Sequence, residues 1–216
     1  MKKTSIYLSL AAASLMMASC GNAPEKEAPA TAEAPATVAE APAAPAPVDS
    51  ATAMQNWMAY ATPGDMHKMM AEEEGNWTAE ITSWMAEGAP AQTSKGEAQY
   101  KMIMGGRYQQ CMFKGDMGGM PFEGMSLSGY DNSKKVFMST WVDNMGTGMM
   151  AMEGTYDAAT KKLEMKGKGV DPSNNTECAM REVVTHTDAK HMTMEMYSTP
   201  QGGKEFKNME IKYTKK

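Results

Sequence analysis

Residues 122–142 read FEGMSLSGYDNSKKVFMSTWV, and their pattern predicts a β-hairpin. Over 122–130 the apolar residues are separated by polar or small ones, as in a strand with one buried face, and 135–142 is a second run rich in β-branched and aromatic residues. Between the two runs stand Asp131 and Asn132, two residue types that favour tight turns. We therefore expect two antiparallel strands joined at this corner, with the lysines of the corner pointing outward.

The same alternation recurs along the chain after Gly75. It predicts ten strands, near 76–84, 95–104, 107–114, 122–130, 135–142, 147–156, 162–169, 176–187, 190–198 and 205–214. The connections are short, so sequential strands should pair as an antiparallel meander. A sheet of that many strands usually curls and closes, which removes its exposed edges. We predict a mainly β fold, a closed antiparallel up-and-down barrel of about ten strands over 75–216.

One or two short helices are expected before the barrel, within residues 51–74. Apolar residues share one side of a helix predicted over 51–61. Thr62 as an N-cap, with Pro63 at the first helical position, then predicts a second helix. Gly75 is expected to end that helix.

The first 19 residues have the features of a secretory signal peptide. Lys2 and Lys3 make its start positive, and the apolar run 6–18 is shorter than the roughly 20 residues that cross a bilayer as a helix. Small residues then precede Cys20, an arrangement that resembles the lipobox of bacterial lipoproteins. The resemblance implies that Cys20 is acylated and anchors the protein to a lipid bilayer. Gly21, in place of Asp, indicates the outer membrane, and the membrane face stays open.

Residues 20–50 are predicted to be a tether between this anchor and the folded domain. Positions 21–50 contain 11 Ala and 6 Pro. The prolines forbid a continuous helix, and the segment has no apolar face to bury. We expect an extended, disordered, semi-rigid segment that holds the domain away from the bilayer.

Charge and motifs exclude several classes of function. The chain has a net charge of −5, without the clustered positive face that is typical of nucleic-acid-binding proteins. It contains no Gly-rich phosphate loop, Cys-x-x-Cys pair or nucleophile elbow. We expect a protein that is not an enzyme. No cofactor is predicted, although copper, zinc and haem stay open.

Methionine is unusually frequent, with 26 residues in the chain. Thioethers are soft ligands that suit Cu(I), and pairs such as Met102 and Met104 would share one face of a strand. Alternatively, methionine replaces the scarce Leu, Ile and Val of the core, since its unbranched side chain fills irregular gaps. We favour the core interpretation. A core of this kind would also suit a yielding apolar cavity.

Two histidines near the end of the chain are weak candidates for a metal pair. If Asp188 and Ala189 form a two-residue loop, His186 and His191 face each other across a hairpin. Two opposed imidazoles would supply half of a zinc or copper site. The alternative, which we favour, is an exposed pair without a metal.

Two cysteines, Cys111 and Cys178, lie in predicted strands. Outside the cytoplasm they could form a disulfide, which requires adjacent strands and Cα atoms within about 7 Å. Two separate thiols are the other outcome, and we favour it.

Several motifs run in order over nearly all of residues 51–216: AMQNWMAYATPGDMHKMM, GNWTAEITSW, GGRYQQ, GMPFEGMSLSGYDNSKKVFMSTWVDNMGTGMM, EGTYDAATKKL, MREV and GGKEFKNMEIKYTKK. Together they resemble the bacterial domain-of-unknown-function family 1579. That family has no assigned function. Its fold is thought to be calycin-like, akin to lipocalins and fatty-acid-binding proteins, which agrees with the predicted barrel.

The resemblance also implies two residues that close the barrel. Gly75-Asn76-Trp77 is similar to the Gly-x-Trp that opens the first strand of lipocalins, where the Trp plugs the closed end, often under an Arg. It implies that Trp77 is the plug and that Arg181 stacks on its indole face.

Arg107, Tyr108 and Trp141 are the candidate ligand-binding residues. Lysine is the usual cation of this chain, so an isolated Arg in a strand suggests a site that needs a planar guanidinium. We expect Arg107 to orient a ligand, with Tyr108 and Trp141 lining the cavity. The leading hypothesis is an envelope lipoprotein that binds a small apolar or amphipathic molecule in its barrel. The alternatives are an envelope metal- or haem-binding protein and a partner-binding scaffold without a ligand. The oligomeric state stays open.

Overall fold

The computed structural model describes residues 46–216, which form two helices followed by ten strands. The bounds are α1 Ser50–Ala61, α2 Asp65–Glu72, β1 Gly75–Ser83, β2 Gln92–Ile103, β3 Tyr108–Met117, β4 Met120–Asp131, β5 Val136–Asp143, β6 Met150–Asp157, β7 Lys162–Asp171, β8 Thr176–Asp188, β9 His191–Thr199 and β10 Phe206–Lys215. The predicted signal peptide, Cys20 and almost all of the tether lie outside the described residues.

The ten strands form a closed barrel with up-and-down connectivity. Each strand is antiparallel to the next along the chain, and β1 pairs with β10 to close the sheet. In the closing pair, Trp77 lies opposite Lys215 and Ser83 opposite Met209. No strand of this sheet presents a free edge, which is the physical advantage of closure. The predicted fold class, including the short helices before the barrel, is confirmed.

Alternation along each strand divides its side chains between the interior and the outer surface. On β8, Cys178, Met180 and Glu182 line the interior, while Arg181 lies between them on the outer face. The period of two therefore decides which polar groups enter the barrel.

Helix α2 covers one end of the barrel. It begins at Asp65, with Gly64 as the N-cap, so the prediction that Thr62 caps it is wrong. The backbone N–H of Gly64 donates to Nδ1 of His67 at 3.0 Å, and His67 is buried. Met70 packs in a cluster with buried residues of β5, β6, β7 and β9, namely Phe137, Met152, Met165 and Met196. The helix thus acts as a floor across the barrel, and we use that word for this end.

The hairpin corner at Asp131 takes the same form as the corner at Asp157. Oδ1 of Asp131 accepts from the N–H of Ser133 at 2.7 Å, and Oδ1 of Asp157 accepts from the N–H of Ala159 at 2.9 Å. Each corner ends in a residue of positive φ, Lys135 at 60° and Lys161 at 54°. An Asp that bonds the backbone two residues later stabilises such turns.

The core contains methionine where other proteins place branched aliphatics. Five methionines are at most 6% exposed: Met70, Met152, Met165, Met192 and Met196. The preference for core packing is therefore confirmed for these residues. A second cluster surrounds Trp77 and includes Ala79, Phe113, Ile211 and Tyr213.

Neither α1 nor α2 combines the length and apolarity that a helix needs to cross a bilayer, and the described residues contain no other helix.

Candidate functional site

A cavity of about 1570 Å³ occupies the barrel interior. Its lining includes Met69, Met70 and Glu73 at the floor, and loop residues such as Met145 and Pro200 at the opposite end. The strand-connecting loops at that end surround an opening, which we call the mouth. Fourteen methionines contribute to the lining. The interior is therefore closed at the helix, open at the mouth and largely apolar.

A small polar network lies at the floor. Nε2 of His186 lies 2.6 Å from Oε1 of Glu73, and Nε2 of Gln109 donates to Oε2 of Glu73 at 2.8 Å. Gln109 also donates to the carbonyl oxygen of Met70 at 2.8 Å. The hydrogen bond to Glu73 raises the pKa of His186 above its ordinary value. Both oxygens of Glu73 are thus occupied by partners within the protein.

Glu182 is a second interior carboxyl and lacks such partners. In the sheet register it stands between Met165 of β7 and Met196 of β9, both of which are buried. Within residues 46–216 the Glu182 carboxyl accepts no hydrogen bond and forms no ion pair, and it faces the cavity. Burial, together with the negative charge of Glu73, raises the pKa of Glu182 to about 7. A carboxyl in these surroundings is costly to ionise without a partner.

Tyr100, Cys111 and Tyr213 form a group of weakly acidic side chains on the neighbouring wall. The Tyr100 and Tyr213 rings meet edge to face, with centroids 6.3 Å apart. Burial raises the pKa of the Cys111 thiol to about 12 and also raises the pKa of both phenols. These groups stay neutral around pH 7 and act as hydrogen-bonding groups rather than as charges.

Trp141 faces the interior. Its ring stacks on Phe122 at a centroid distance of 6.3 Å, and its Nε1 donates to Oδ2 of Asp143 at 2.7 Å. A Cβ added at Gly124 would lie 2.2 Å from the Trp141 ring, so this glycine makes room for the indole. Trp141 lines the cavity, and its contact with a ligand stays a prediction.

Arg107 and Tyr108 lie outside the cavity. Arg107 belongs to the β2–β3 turn, is exposed, and donates through Nη1 to the carbonyl oxygen of Met104 at 3.2 Å. Tyr108 is 45% exposed and covers Gly129. The expectation that Arg107 orients a ligand inside the barrel is wrong, because the turn extends through Arg107 and strand β3 starts one residue later than predicted.

Trp77 lies near the floor, but Arg181 does not cover it. Trp77 is 2% exposed, and its Nε1 donates to the carbonyl oxygen of Glu73 at 2.8 Å. Lys215 is the cation at its ring, with Nζ 5.5 Å from the centroid. Arg181 instead lies on the outer face, 3.9 Å above the Tyr197 ring and paired with Glu205 at 2.7 Å. The implied stacking of Arg181 on the indole is wrong, because the parity of β8 directs Arg181 outward.

His186 and His191 do not face each other. A bulge between His186 and Asp188 shifts the register, so His186 stands opposite Met192, and Asp188 opposite His191. His191 pairs with Asp188 at 2.9 Å on the surface, whereas His186 points to the floor. The described part of the chain contains no group of three or more His, Cys, Asp or Glu residues placed to hold a metal ion.

Cys111 and Cys178 are both free thiols, so the disulfide that they could have formed is absent, as we favoured.

Helix α1 carries an exposed apolar surface outside the barrel. Met54, Trp57, Met58 and Tyr60 are each more than half exposed. Asn132 of the β4–β5 corner fixes the end of this helix by donating to the carbonyl oxygens of Tyr60 and Thr62 at 3.0 and 2.8 Å. An outer apolar patch is the feature that the scaffold alternative requires.

The interior polar residues were missed by sequence reasoning. Glu182 follows Arg181 directly in one predicted strand, so the inward position implied for Arg181 directed Glu182 outward, and the period of two gave no independent signal for an interior carboxyl. Glu73 and Gln109 gave no such signal either. They meet only because α2 folds under β3.

Comparison with known proteins supports the fold and identifies the family. The crystal structure of Rv2717c from M. tuberculosis is similar at a TM-score of 0.53 and 9% identity, covering 72% of this chain and 99% of that one. At this identity the similarity shows the fold alone. A redesigned beta barrel covers 71% of this chain and 99% of its own, at 14% identity and a TM-score of 0.37. No curated protein matches the chain.

The family model described as "Protein of unknown function (DUF1579)" matches residues 62–215, which include α2 and all ten strands of the barrel. The family that the sequence motifs resemble is thereby confirmed. This chain belongs to the DUF1579 family of proteins of unknown function.

Proposed function

We propose that this protein is a non-enzymatic binding protein that holds one small apolar or amphipathic molecule inside its barrel. The observation that carries the proposal is the cavity of about 1570 Å³, closed by α2 and open at the mouth. Binding sites for small molecules are typically concave, mostly apolar, and furnished with a few placed polar groups. The floor network around Glu73 and the carboxyl of Glu182 supply those groups.

The lining suits ligands of variable shape. Methionine side chains rotate about three bonds and are polarisable, so they adapt to irregular apolar surfaces. The cavity exceeds the roughly 300–1,000 Å³ of ordinary ligand pockets, which leaves room for a long or branched ligand. Trp141 and Phe122 add a flat aromatic surface on one wall.

Membrane anchoring through Cys20 is the second part of the proposal. The support is the order of features in the sequence: a positive start, an apolar run, small residues, then a cysteine and a proline-rich tether. Acyl-chain labelling in a bacterial host tests it. Cys20→Ser should abolish labelling and release the protein from membranes, whereas Cys178→Ser should leave both unchanged. Labelling of the Cys20→Ser protein would contradict the proposal.

Two adjacent positions on β4 test binding in the interior. Ser126 lines the cavity, whereas the next residue, Leu127, is 41% exposed on the outer face. We expect the full chain to bind an apolar fluorescent probe such as anilinonaphthalene sulfonamide. Ser126→Trp should weaken binding at least about tenfold by filling the space, and Leu127→Trp should change it little. Equal effects of both substitutions, or no binding by the folded parent, would refute the proposal.

A further inference from the structure

We propose, on the basis of the proposed binding function, that the interior site takes an amphipathic cation: an alkyl chain lies among the methionines, and an amine or ammonium group lies at the carboxyl of Glu182. The inference states that the ligand's polar group is positively charged. A barrel that holds a fatty acid would instead need a partner for a negatively charged carboxylate.

Below the mouth, the described lining offers no Lys or Arg to an anionic ligand, and His186 at the floor is already paired with Glu73. Both arginines of the chain, Arg107 and Arg181, have their guanidinium groups on the outside. Among the described residues, Lys168 and Lys204 are the only Lys or Arg in the lining, and both lie toward the mouth. Lys168 is already paired with Glu177 at 2.7 Å. A carboxylate drawn into the barrel would lose its hydration without gaining a charged partner.

The lining is instead rich in negative charge. Seven Asp or Glu residues line the cavity or its mouth, and five of them remain without a basic partner among the described residues once the pairs of Glu73 with His186 and Glu177 with Lys168 are set aside. A cleft lined by one sign of charge attracts ligands of the opposite sign and raises their local concentration. The acidic residues of the mouth therefore favour the entry of a cation, and Glu182 is the interior group left to receive it.

Glu182 is free to bind, whereas Glu73 is not. The two oxygens of Glu73 are held by His186 at 2.6 Å and by Gln109 at 2.8 Å. Glu182 has the thioethers of Met165 and Met196 beside it in the register. A ligand ammonium would form a charge-assisted hydrogen bond to Glu182 and remove the cost of an isolated buried carboxylate.

The charges that face Glu182 come from two other elements. Glu73, at the end of α2, acts on Glu182 by repulsion, and Tyr213 of β10 lies close enough to be influenced by the charge of Glu182. Glu73 carries His186 as its own counter-ion. The remaining weak acids of this wall, Tyr100 and Cys111, stay neutral because burial raises the pKa of both. The balance at Glu182 thus favours an added positive charge.

The test compares three probes with the same ten-carbon chain: decylammonium, decanol and decanoate. Each is titrated calorimetrically into the full chain near pH 8, below its micelle concentration. We expect decylammonium to bind at least about tenfold more tightly than decanol, and decanoate to bind most weakly. Decanoate binding as tightly as decylammonium would overturn the inference while leaving the binding function intact. A lack of binding by all three would refute both the inference and the binding function.

Glu182→Gln and Glu153→Gln are the matched variants. Glu153 is an exposed Glu on the outer face of β6, so both substitutions remove one negative charge and keep the side-chain size. Glu182→Gln should bring decylammonium to within about threefold of decanol in the same variant. Glu153→Gln should preserve the full preference. Equal losses in both variants would show that the net charge of the surface is responsible, and this would overturn the assignment to Glu182.

A permanently charged probe, decyltrimethylammonium, adds a pH readout. Its affinity should rise between about pH 6 and pH 8 as Glu182 loses its proton, and the rise should disappear in Glu182→Gln. A rise that persists in that variant would assign the titration to another group and overturn the role of Glu182.

Discussion

His186 and Glu73 join the floor end of strand β8 to the residue that follows α2, with Nε2 of the imidazole 2.6 Å from Oε1 of the carboxylate. The two residues are 113 positions apart in sequence, and their side chains are 20% and 14% exposed. Removing one partner of a partly buried pair of this kind costs more than removing one partner of a surface pair, since water and salt screen the remaining charge less. It connects α2 directly to β8, the strand that also carries Glu182.

The stability that this pair confers should depend on pH. The pKa of His186 is raised in the folded protein, so its contribution is fully present below the unfolded value of 6.5 and is lost as pH rises through the folded value. His186→Gln should lower the free energy of unfolding by roughly 1–3 kcal/mol near pH 5.5, and by less near pH 9. Denaturant unfolding at the two pH values measures the difference.

His191→Gln is the control for that experiment. His191 pairs with Asp188 on the surface, where both side chains are 54% exposed, so its removal should cost less than about 0.5 kcal/mol at either pH. If His186→Gln lowers the free energy of unfolding by the same amount at both pH values, the effect would be assigned to packing rather than to the ion pair.

Glu182→Gln should stabilise the ligand-free protein at high pH, whereas the His186–Glu73 pair contributes its stability at low pH. The pKa of Glu182 rises from 4.5 to about 7 on folding, so ionisation opposes folding as pH rises from about 4.5 to about 7. The variant should gain up to roughly 3 kcal/mol near pH 8 and little near pH 4.5. Thermal unfolding at both pH values checks this. A variant less stable than the parent near pH 8 would contradict an unpartnered carboxylate.

Gly154 should be intolerant of any side chain. A Cβ at this position of β6 would lie 1.8 Å from the carbonyl oxygen of Glu164 on the neighbouring strand. Gly154→Ala should therefore destabilise the barrel by roughly 2–4 kcal/mol. Gly148, in the loop at the mouth, has nothing within 4 Å of an added Cβ, and Gly148→Ala should change stability by less than about 0.5 kcal/mol. Equal denaturant midpoints for the Gly154→Ala and Gly148→Ala variants would contradict the close approach of β6 and β7.

The two interior thiols should react at different rates. Cys111 is 3% exposed, and burial raises its pKa to about 12, so little reactive thiolate is present near pH 8. Cys178 is partly exposed in the part of the cavity near the mouth. In a Cys20→Ser background, a disulfide-exchange reagent should label Cys178 first, and adding Cys178→Ser should remove the fast phase. A fast phase that survives in Cys178→Ser would contradict the burial of Cys111.

The outer position of Arg181 predicts a moderate role in stability. Its guanidinium stacks 3.9 Å from the Tyr197 centroid and pairs with Glu205 through two hydrogen bonds, at 2.9 and 2.7 Å. Arg181→Ala should cost about 1 kcal/mol of unfolding free energy without changing ligand affinity. Arg107→Ala, at an exposed turn, should change neither quantity measurably. A large loss of probe binding in either variant would place an arginine in the interior.

The fold was predictable because every strand carries its own signal. The two strand-favouring runs within 122–142 and the Asp-led corner at Asp131 between them are local features, and the corner at Asp157 repeats the one at Asp131. Closure followed from the number of strands and their short connections. Turn details were less predictable: the residue before β3, Arg107, belongs to a turn, and the bulge near Asp188 separates His186 from His191.

The site was predictable only in part, since it depends on contacts between distant segments. Trp141 could be named as a cavity-lining aromatic because it is a large aromatic residue within a predicted strand. The pairing of Glu73 with His186 could not, because α2 must first fold beneath the barrel. The isolation of Glu182 depends on which residues face it across two neighbouring strands, and local patterns do not determine that register.

Carbon-13 methyl spectra of the methionines test the central claim most directly, because this residue type occurs on both faces of the wall. Met152, Met165, Met192 and Met196 are buried in the barrel, whereas Met112 and Met138 are 39% and 43% exposed on its outer face, and Met54 is exposed on α1. On addition of decylammonium to the full chain, the account predicts that the interior methyl signals shift and saturate together while the other three stay in place. Shifts confined to Met54, Met112 and Met138, or no shift at a saturating ligand concentration, would contradict binding inside the barrel.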